Sequence, residues 1–296
     1  MKLPRIIFLF IMAAFCSHTF AQRTFDDDST SFMRGNWKWR KGGNFYFAWG
    51  YSKYWYTKSD IHIQQNFDDV SGTATRTEYT LVDVKGHDRL GIEKLYNVPL
   101  TVPQFNVRIG YFFNEKQDLG IEINYDHAKF ISADYQHVEM KGTTNGIAFD
   151  SIAYLYPDTT AGSKPFVYKL NNGANFVMVN LVKKFELYNN TAHGIHFSYI
   201  AKFGGGFTVP HVENTIFGLS NDPHFQFPGG WCVGAESALR CVFFNRMYLE
   251  FGQKGTFANY YKLRIYKGLA KQSFGAYEVV LTLGVNFPEK KYTHGD

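Results

Sequence analysis

The segment Asn44 to Tyr56, NFYFAWGYSKYWY, alternates large rings with small or polar residues along its whole length. Because successive side chains of a β-strand point to opposite faces, the rings gather on one face. That face carries Phe45, Phe47, Trp49 and Tyr51, and the opposite face carries Tyr46, Ala48, Gly50 and Ser52. A ring-rich face toward lipid and a polar face toward a lumen are typical of a transmembrane β-barrel.

Seven more segments show the same alternation. They are 104–113, 118–130, 174–185, 195–207, 230–244, 246–257 and 273–287. The connections between them are long and short in turn, which is typical of outer-membrane barrels with short periplasmic turns and long extracellular loops. The sequence therefore predicts an all-β protein whose residues 44–287 form a closed antiparallel transmembrane barrel of eight strands.

Two shorter segments, 59–67 and 77–84, also alternate, and both lie in the first long connection. They are either a hairpin outside the membrane or two further spanning strands, which would make ten. Asp60, His62 and Gln64 make the first segment polar for a face that meets lipid. We therefore expect the hairpin.

The N-terminus has the features of an export signal. Lys2 and Arg5 precede the apolar run 6–15, and Ala21 ends a short stretch suited to signal peptidase. We expect residues 1–21 to be a cleaved signal peptide, 22–43 a periplasmic segment, and 288–296 a periplasmic tail. No later apolar run approaches the roughly 18 residues of a spanning helix, so the predicted location is the bacterial outer membrane.

Composition agrees with this class. The chain has 29 Phe, 20 Tyr and 5 Trp, yet its mean hydropathy is −0.27, as expected when lipid-facing and lumen-facing residues alternate. The net charge of +5 comes without any basic block, so we expect no nucleic-acid partner. The small positive surplus favours outer-membrane lipid, lipopolysaccharide included, as a partner.

Charged residues of both signs fall on the predicted lumen face. They are Arg108, Glu122, Asp126, Lys202, Glu236, Arg240, Arg246, Glu250, Lys254 and Glu278. Side chains fill the interior of an eight-stranded barrel, whereas an aqueous porin has about sixteen strands. We therefore expect a paired network that plugs the lumen rather than an open channel.

One short motif points to catalysis. His196-Phe197-Ser198 resembles the H-x-S pair of outer-membrane lipid A deacylases, in which a base activates a hydroxyl for ester cleavage. The sequence departs from that family because Tyr199 stands where Asn is usual. Its His and Ser are also on the predicted lumen face, whereas the deacylase pair faces lipid.

A second candidate site is the predicted extracellular rim. Its potential binding residues are Lys58, Asp60, His62, Asp83, His87, Asp88, Arg89, Lys129, His211 and Glu213. Asp126 and His127 lie beside them and are catalytic candidates together with His196 and Ser198. Converging carboxylates, imidazoles and cations can hold a phosphate or transfer protons. The alternative is that polar loops carry these residues because they are solvated. No fixed ligand spacing such as HExxH is present, so we predict neither a metal nor another cofactor.

Four segments together resemble a family of exported β-barrel proteins of Bacteroidota. They are YTKSDI at 56–61, DVKGHDR at 83–89, PQFNVRIGYF at 103–112 and DHAKF at 126–130. The last departs from the more usual DHMKY at two positions. The resemblance implies the same fold and location, and it transfers no catalytic residue.

The leading functional hypothesis is an integral outer-membrane barrel whose large external loops form a recognition or envelope-stabilising surface for lipid, glycan or a partner protein. Its competitor is an outer-membrane lipid-modifying enzyme, an acyl ester hydrolase or acyltransferase, with its site at the extracellular rim.

Overall fold

A computed structural model describes residues 43–68, 74–88, 104–113, 116, 118–157, 164–170, 173–190, 193–221 and 225–288. The predicted signal peptide, almost all of the N-terminal segment, the tail beyond Pro288, and Arg89 lie outside these residues. The described strands are β1 (Asn44–Tyr56), β2 (Ser59–Asp68), β3 (Ala74–Val84), β4 (Gly86–His87), β5 (Phe105–Phe112), β6 (Leu119–Asp126), β7 (Phe130–Ser132), β8 (Gln136–Thr144), β9 (Ile147–Leu155), β10 (Val167–Leu170), β11 (Ala174–Asn190), β12 (Ile195–Pro210), β13 (Glu213–Ile216), β14 (Leu219–Asn221), β15 (Gly230–Phe243), β16 (Met247–Ile265) and β17 (Gly268–Pro288).

Eight of these strands close a barrel. In order around it they are β1, β5, β6, β11, β12, β15, β16 and β17, and every neighbouring pair is antiparallel. The ring closes because β17 pairs with β1 from Asn44↔Pro288 to Tyr56↔Ala276. The predicted number of spanning strands is therefore confirmed.

The register around the ring sets the size of the barrel. Following paired residues from Asn44 once around the eight strands leads back to β1 at Tyr54, a displacement of 10 residues. With about 3.3 Å rise per residue and about 4.8 Å between strands, this stagger tilts the strands by about 40° and gives a backbone diameter of about 16 Å. The interior of a cylinder of that width is only wide enough for side chains or one small ligand.

The outer surface of the barrel is apolar on every strand. Residues such as Ile109, Ile123, Leu181 and Leu281 are about half exposed there. Rings mark both margins of this band: Phe45 contacts Tyr111 near the short turns, and Trp55–Tyr277 and Trp231–Phe257 are paired at the opposite end. A closed cylinder with this exterior and charged side chains within confirms the predicted transmembrane barrel class.

The ambiguous segments form a hairpin. β2 and β3 pair with each other, and β2 also pairs with Gly268–Gln272, the part of β17 that lies beyond the apolar band. Neither joins the ring of eight, so the alternative of ten spanning strands is wrong.

Two boundaries differ from the prediction. Residues 258–272 were expected to be a loop, but β16 continues to Ile265 and β17 begins at Gly268, with Lys267 in the turn at a φ of 48°. β11 likewise extends past 185 to Asn190. In 258–272 a bulge between Tyr260 and Leu263 shifts the two-residue period, and apolar residues such as Tyr260 and Leu263 point inward, where the barrel strands carry charged residues.

The long connections fold into a second structured region, here called the cap. It consists of β2–β4, β7–β10, β13, β14 and residues 258–276 of β16 and β17. One series of strands runs β17–β2–β3–β8–β9, and another runs β1–β4–β7–β10–β13–β14. A hydrophobic core lies between them, including Ile61, Leu81, Phe130, Tyr168, Leu170, Tyr260 and Phe274. Among the described residues, no helix is long and apolar enough to cross a membrane.

Candidate functional site

Glu250 is the centre of the charged layer inside the barrel. Its Oε1 accepts hydrogen bonds from Arg108 Nη1 and Lys202 Nζ, both at 2.9 Å, and its Oε2 accepts one from Arg240 Nε at 2.6 Å. All four side chains are almost fully buried. Three cations from three different strands therefore depend on one carboxylate.

Two further carboxylates complete the shell of those cations. Glu236 lies 2.6 Å from Arg108 Nη1 and 3.3 Å from Lys202 Nζ. Glu122 accepts from Lys202 Nζ at 3.0 Å and from the Tyr46 hydroxyl at 2.9 Å. The network thus links β1, β5, β6, β12, β15 and β16 through their side chains.

A second group lies on the cap side of this layer. Lys254 donates to Asp126, and Glu278 accepts a hydrogen bond of 2.5 Å from Ser52 Oγ. Ser52 in turn accepts one of 2.9 Å from the Asn106 amide. With these residues the buried layer holds four cations and five carboxylates.

Apolar layers border the charged layer on both sides. Toward the short turns lie Tyr46, Ala48, Phe112, Val182, Ile200, Ala238 and Tyr248. The Arg240 guanidinium sits 4.0 Å from the centre of the Tyr248 ring, so even this layer contacts the cations directly. Toward the outside lies the cap core. The lumen is therefore filled by side chains at three successive levels.

Nine of the ten predicted lumen residues are buried inside the barrel, and Arg246 is not. Arg246 is exposed in the turn between β15 and β16, where Phe244 and Asn245 have positive φ. Strand parity does not extend through such a turn, so extrapolating it placed Arg246 on the wrong side.

The H-x-S residues lie at the end of the barrel opposite the rim, and no hydrogen bond joins them in the described chain. His196 Nε2 lies 3.3 Å from Asn245 Oδ1, at the short-turn end of the barrel. Ser198 is buried and faces Arg240 across the β12–β15 ladder. In the described residues no hydrogen bond joins this His to this Ser, so they do not form a nucleophile and base pair.

Asp126 and His127 are adjacent in sequence but bind different partners. Asp126 is held by Lys254 in the lumen, whereas His127 Nδ1 lies 2.8 Å from Asn175 Oδ1 and its ring stacks on Phe105. Burial lowers the pKa of His127 below its ordinary value, and nearby Lys129 lowers this pKa further, against an opposing contribution from Asn175. His127 is therefore a neutral packing residue at the base of the cap.

Asp88 anchors the cap to β1. Its Oδ2 accepts from the Tyr54 backbone N–H at 2.8 Å and from Gln104 Nε2 at 3.0 Å, and its Oδ1 binds Lys53. The neighbouring His87 is exposed, with Nδ1 2.7 Å from the Asp88 carbonyl. These contacts give Asp88 a structural role, which is to hold the cap to β1.

Lys58, which directly precedes β2, forms another local group with rim residues of β2 and β3. Lys58 pairs with Asp83 at 3.0 Å, and Asp60 accepts the Asp83 backbone N–H at 2.9 Å. Asp83 has a φ of 57°, so this contact supports a strained backbone position. His62 Nδ1 lies 2.7 Å from Thr80 Oγ1 on the exposed side of the hairpin.

The remaining candidates lie on other elements. The His211 ring packs 4.8 Å from Phe225, and Glu213 is opposite Lys169 in the β10–β13 ladder. Lys129 is buried, and its carbonyl accepts from the Tyr56 hydroxyl at 2.8 Å. The predicted rim residues thus belong to several local groups, and within the described chain no three metal-ligating side chains come together.

Sequence reasoning missed a set of basic residues on the outer face of the cap. Lys262, Arg264 and Lys271 are exposed on the outer ends of β16 and β17. They lie in 258–272, which falls between two alternating segments of the sequence and which the sequence predicts to be a loop. Leu263 and Ile265 alternate with Lys262 and Arg264, and this alternation is the signal that places these cations on a strand.

No family profile matches the chain, and no curated protein matches it. Solved structures with a similar arrangement of strands include Neisserial surface protein A, at 9% identity and a TM-score of 0.31, with 82% of this chain and 97% of that chain covered. Ail, the attachment invasion locus protein of Yersinia pestis, matches at 10% identity and a TM-score of 0.31, covering 84% and 100%. The outer membrane protein OprG of Pseudomonas aeruginosa matches at 9% and 0.31, covering 84% and 97%. Values this low assign neither a family nor an activity.

Proposed function

We propose that this protein is an integral barrel of the bacterial outer membrane whose cap is a recognition or envelope-stabilising surface. The observation that carries the proposal is the apolar band around a closed cylinder. Contiguous exposed apolar surface larger than a few hundred Å² is rare on soluble monomers. Here it encircles all eight strands, and rings such as Trp55 and Phe45 border it at its two ends.

A role in passive transport is not supported by the interior. A conducting pore requires a continuous aqueous path, and the interior of an eight-stranded cylinder is only wide enough for side chains or one small ligand. The charged layer around Glu250 lies between two apolar layers. The lumen residues therefore stabilise the barrel rather than select a solute.

The cap is the part of the molecule available to a partner. It has its own buried core, which includes Phe130 and Leu170, so it presents a fixed outer surface. We propose that this surface meets outer-membrane lipid, lipopolysaccharide included, and that a glycan or an envelope protein is a further class of partner. Export by a signal peptide over residues 1–21 and kinship with Bacteroidota barrel proteins belong to the same proposal.

The decisive test is reconstitution of the full chain. In liposomes we expect the folded protein to resist alkaline extraction and to migrate differently on gels before and after heating, as a stable barrel does. In planar bilayers we expect no conductance above the baseline. A protein that stays monomeric in water without detergent would overturn the membrane proposal, and steady channel currents would overturn the sealed lumen.

Among the described residues, no pair of candidate catalytic side chains is arranged as the enzymatic alternative requires. His196 and Ser198 are unpaired with each other, and Asp126 and His127 bind Lys254 and Asn175. Mass spectrometry of lipid A from cells with and without the protein tests it directly. We expect the same acyl and phosphate pattern in both, whereas a gained or lost acyl chain would return the rim to consideration as an active site.

A further inference from the structure

The outer ends of β16 and β17 place like charges side by side. Tyr260 pairs with Gln272 and Leu263 with Ala270, so the bulge between these pairs sets Lys262 against Lys271. Both side chains are exposed on the outer face of the cap. Arg264 lies on the same face, opposite Leu269. Three cations therefore occupy one patch, here called the basic ladder.

Like charges directly opposite each other across a ladder destabilise a sheet. In the described chain the basic ladder has no acidic partner, because none of its three cations forms an ion pair. Asp60 on β2 accepts the Asp83 N–H, and in the described chain no ion pair joins its carboxylate to the basic ladder. His62, opposite Lys271 on β2, is also not acidic.

Elsewhere in the cap, exposed cations form ion pairs. Lys58 pairs with Asp83, Arg76 lies 3.8 Å from Glu78, and Lys141 lies 2.5 Å from Glu139. All three pairs are exposed, as the basic ladder is. Among the described residues, the exposed cations just before β2 and on β3 and β8 have carboxylate partners, whereas those of the basic ladder on β16 and β17 have none. An external anion would supply the missing charge.

The height of the basic ladder indicates where that anion comes from. Phe257, opposite Gly275, is the last exposed ring of the lipid-facing band on β16. The next outward pair is polar, with Asn259 Nδ2 donating to Ser273 Oγ at 2.7 Å. Lys271 follows about 10 Å above the ring at the rise and tilt of these strands. Polar headgroups occupy about the first 5–8 Å outside the hydrocarbon, and long basic side chains reach back toward them.

We infer that the basic ladder binds the phosphate groups of a glycolipid in the outer leaflet. This inference rests on the proposed membrane location and adds a site to it. The ligand is a phosphorylated sugar headgroup held beside the barrel by its own acyl chains. Two lysines and an arginine on one rigid hairpin contact the phosphate from the barrel wall, and the rings below contact the acyl chains.

The test compares a triple variant with a matched control in detergent micelles. The variant is Lys262→Gln, Arg264→Gln and Lys271→Gln, and the control is Lys58→Gln, Arg76→Gln and Lys141→Gln, which removes the same charge from paired sites. The probes are phosphorylated lipid A, enzymatically dephosphorylated lipid A and inorganic phosphate, with retention read by native mass spectrometry. We expect the variant to bind phosphorylated lipid A roughly tenfold or more weakly than wild type, and the control to bind within about twofold.

Each other outcome has a defined meaning. Equal binding of phosphorylated lipid A by wild type and variant, or equal binding of both lipid A forms by wild type, would overturn the inference. Displacement of lipid A by low concentrations of inorganic phosphate would reassign the ladder to soluble anions. Heat-shifted migration of each protein on gels is measured in parallel, so that failure of the barrel to form in detergent is distinguished from failure of the basic ladder.

Discussion

β17 runs from the cap into the barrel, and polar and apolar residues occupy opposite faces of the strand in these two regions. In the barrel the strand points Glu278 and Thr282 inward and Leu281 and Leu283 outward. In the cap it points the apolar Phe274 inward and exposes the charged Lys271. The backbone and its two-residue period do not change between them. What changes is the medium outside, from hydrocarbon to water, and the residue types exchange faces accordingly.

The two interiors also differ in how they resist substitution. A buried ionic layer is stable only when every charge keeps its partner. An apolar core loses stability in proportion to the volume removed, and its neighbours can partly relax. The cap core shows ring-on-ring packing, with Phe274 at 5.1 Å from Phe130 and 5.4 Å from Tyr260 between ring centres. Substitutions in each region therefore test whether the two interiors lose unfolding free energy in different ways.

The largest effect is expected from Glu250→Ala. It leaves Arg108, Lys202 and Arg240 short of one shared carboxylate, and breaking a buried ion network in this way costs about 3–5 kcal/mol. Urea unfolding in lipid vesicles measures the loss. The exposed pair provides the control, because Lys58→Ala should cost less than about 1 kcal/mol. Equal losses would mean that the lumen network does not hold the barrel together.

The next effect is expected in the cap. Phe274→Ala removes a ring that packs on Tyr56, Phe130 and Tyr260, a loss of about 3 kcal/mol. We expect the loss to be local, with cap segments becoming sensitive to protease while the strands in lipid stay protected. Hydrogen exchange read by peptide resolves the two regions. Equal loosening of cap and barrel would show that they unfold as one unit.

The contrast between barrel and cap also explains which parts of the fold the sequence predicts. The eight strands and nine of the ten lumen residues could be predicted, because period-two alternation needs only one reference face, which lipid supplies. The reversal of polarity at 258–272 hid two strand extensions and with them Lys262 and Lys271. A pattern that is correct for a barrel in lipid predicts a loop where the same strand enters water.

The rim could not be predicted for a different reason. Its candidates were grouped because they lie near strand ends in the sequence, but contacts depend on register between distant segments. Asp88 binds the Tyr54 N–H, and Asp126 binds Lys254 from a strand 128 residues away. Such partners follow from closure of the ring and from the 10-residue displacement, and neither is visible locally.

A smaller effect separates the two outer surfaces of β17. Leu281→Arg places a charge on the lipid face and should cost about 2 kcal/mol or more, whereas Leu269→Arg lies on the cap surface opposite Arg264 and should cost less than about 1 kcal/mol, the size of a cross-strand repulsion between like charges. Both positions expose nearly half of a leucine, at 49% and 41%, so the change in exposed apolar area is matched. Unfolding from lipid vesicles gives the difference. Equal costs would place the membrane boundary elsewhere on the strand.

The smallest effect is a dependence on pH at the junction between the regions. Because burial lowers the pKa of His127, the unfolded chain takes up this proton more readily than the folded one. Stability should therefore be constant above the ordinary histidine pKa of about 6.5 and should fall as the pH drops below it, by up to about 1.4 kcal/mol per pH unit, until the lowered pKa of the folded state is reached. His127→Gln keeps a group that can hydrogen-bond Asn175 and should flatten this part of the curve, while His62→Gln on the exposed hairpin should leave it unchanged. Thermal unfolding followed between pH 7.5 and 5 measures all three proteins. A wild-type curve that rises toward acid, together with loss of that rise in His127→Gln, would show that the folded protein binds His127 in its charged form.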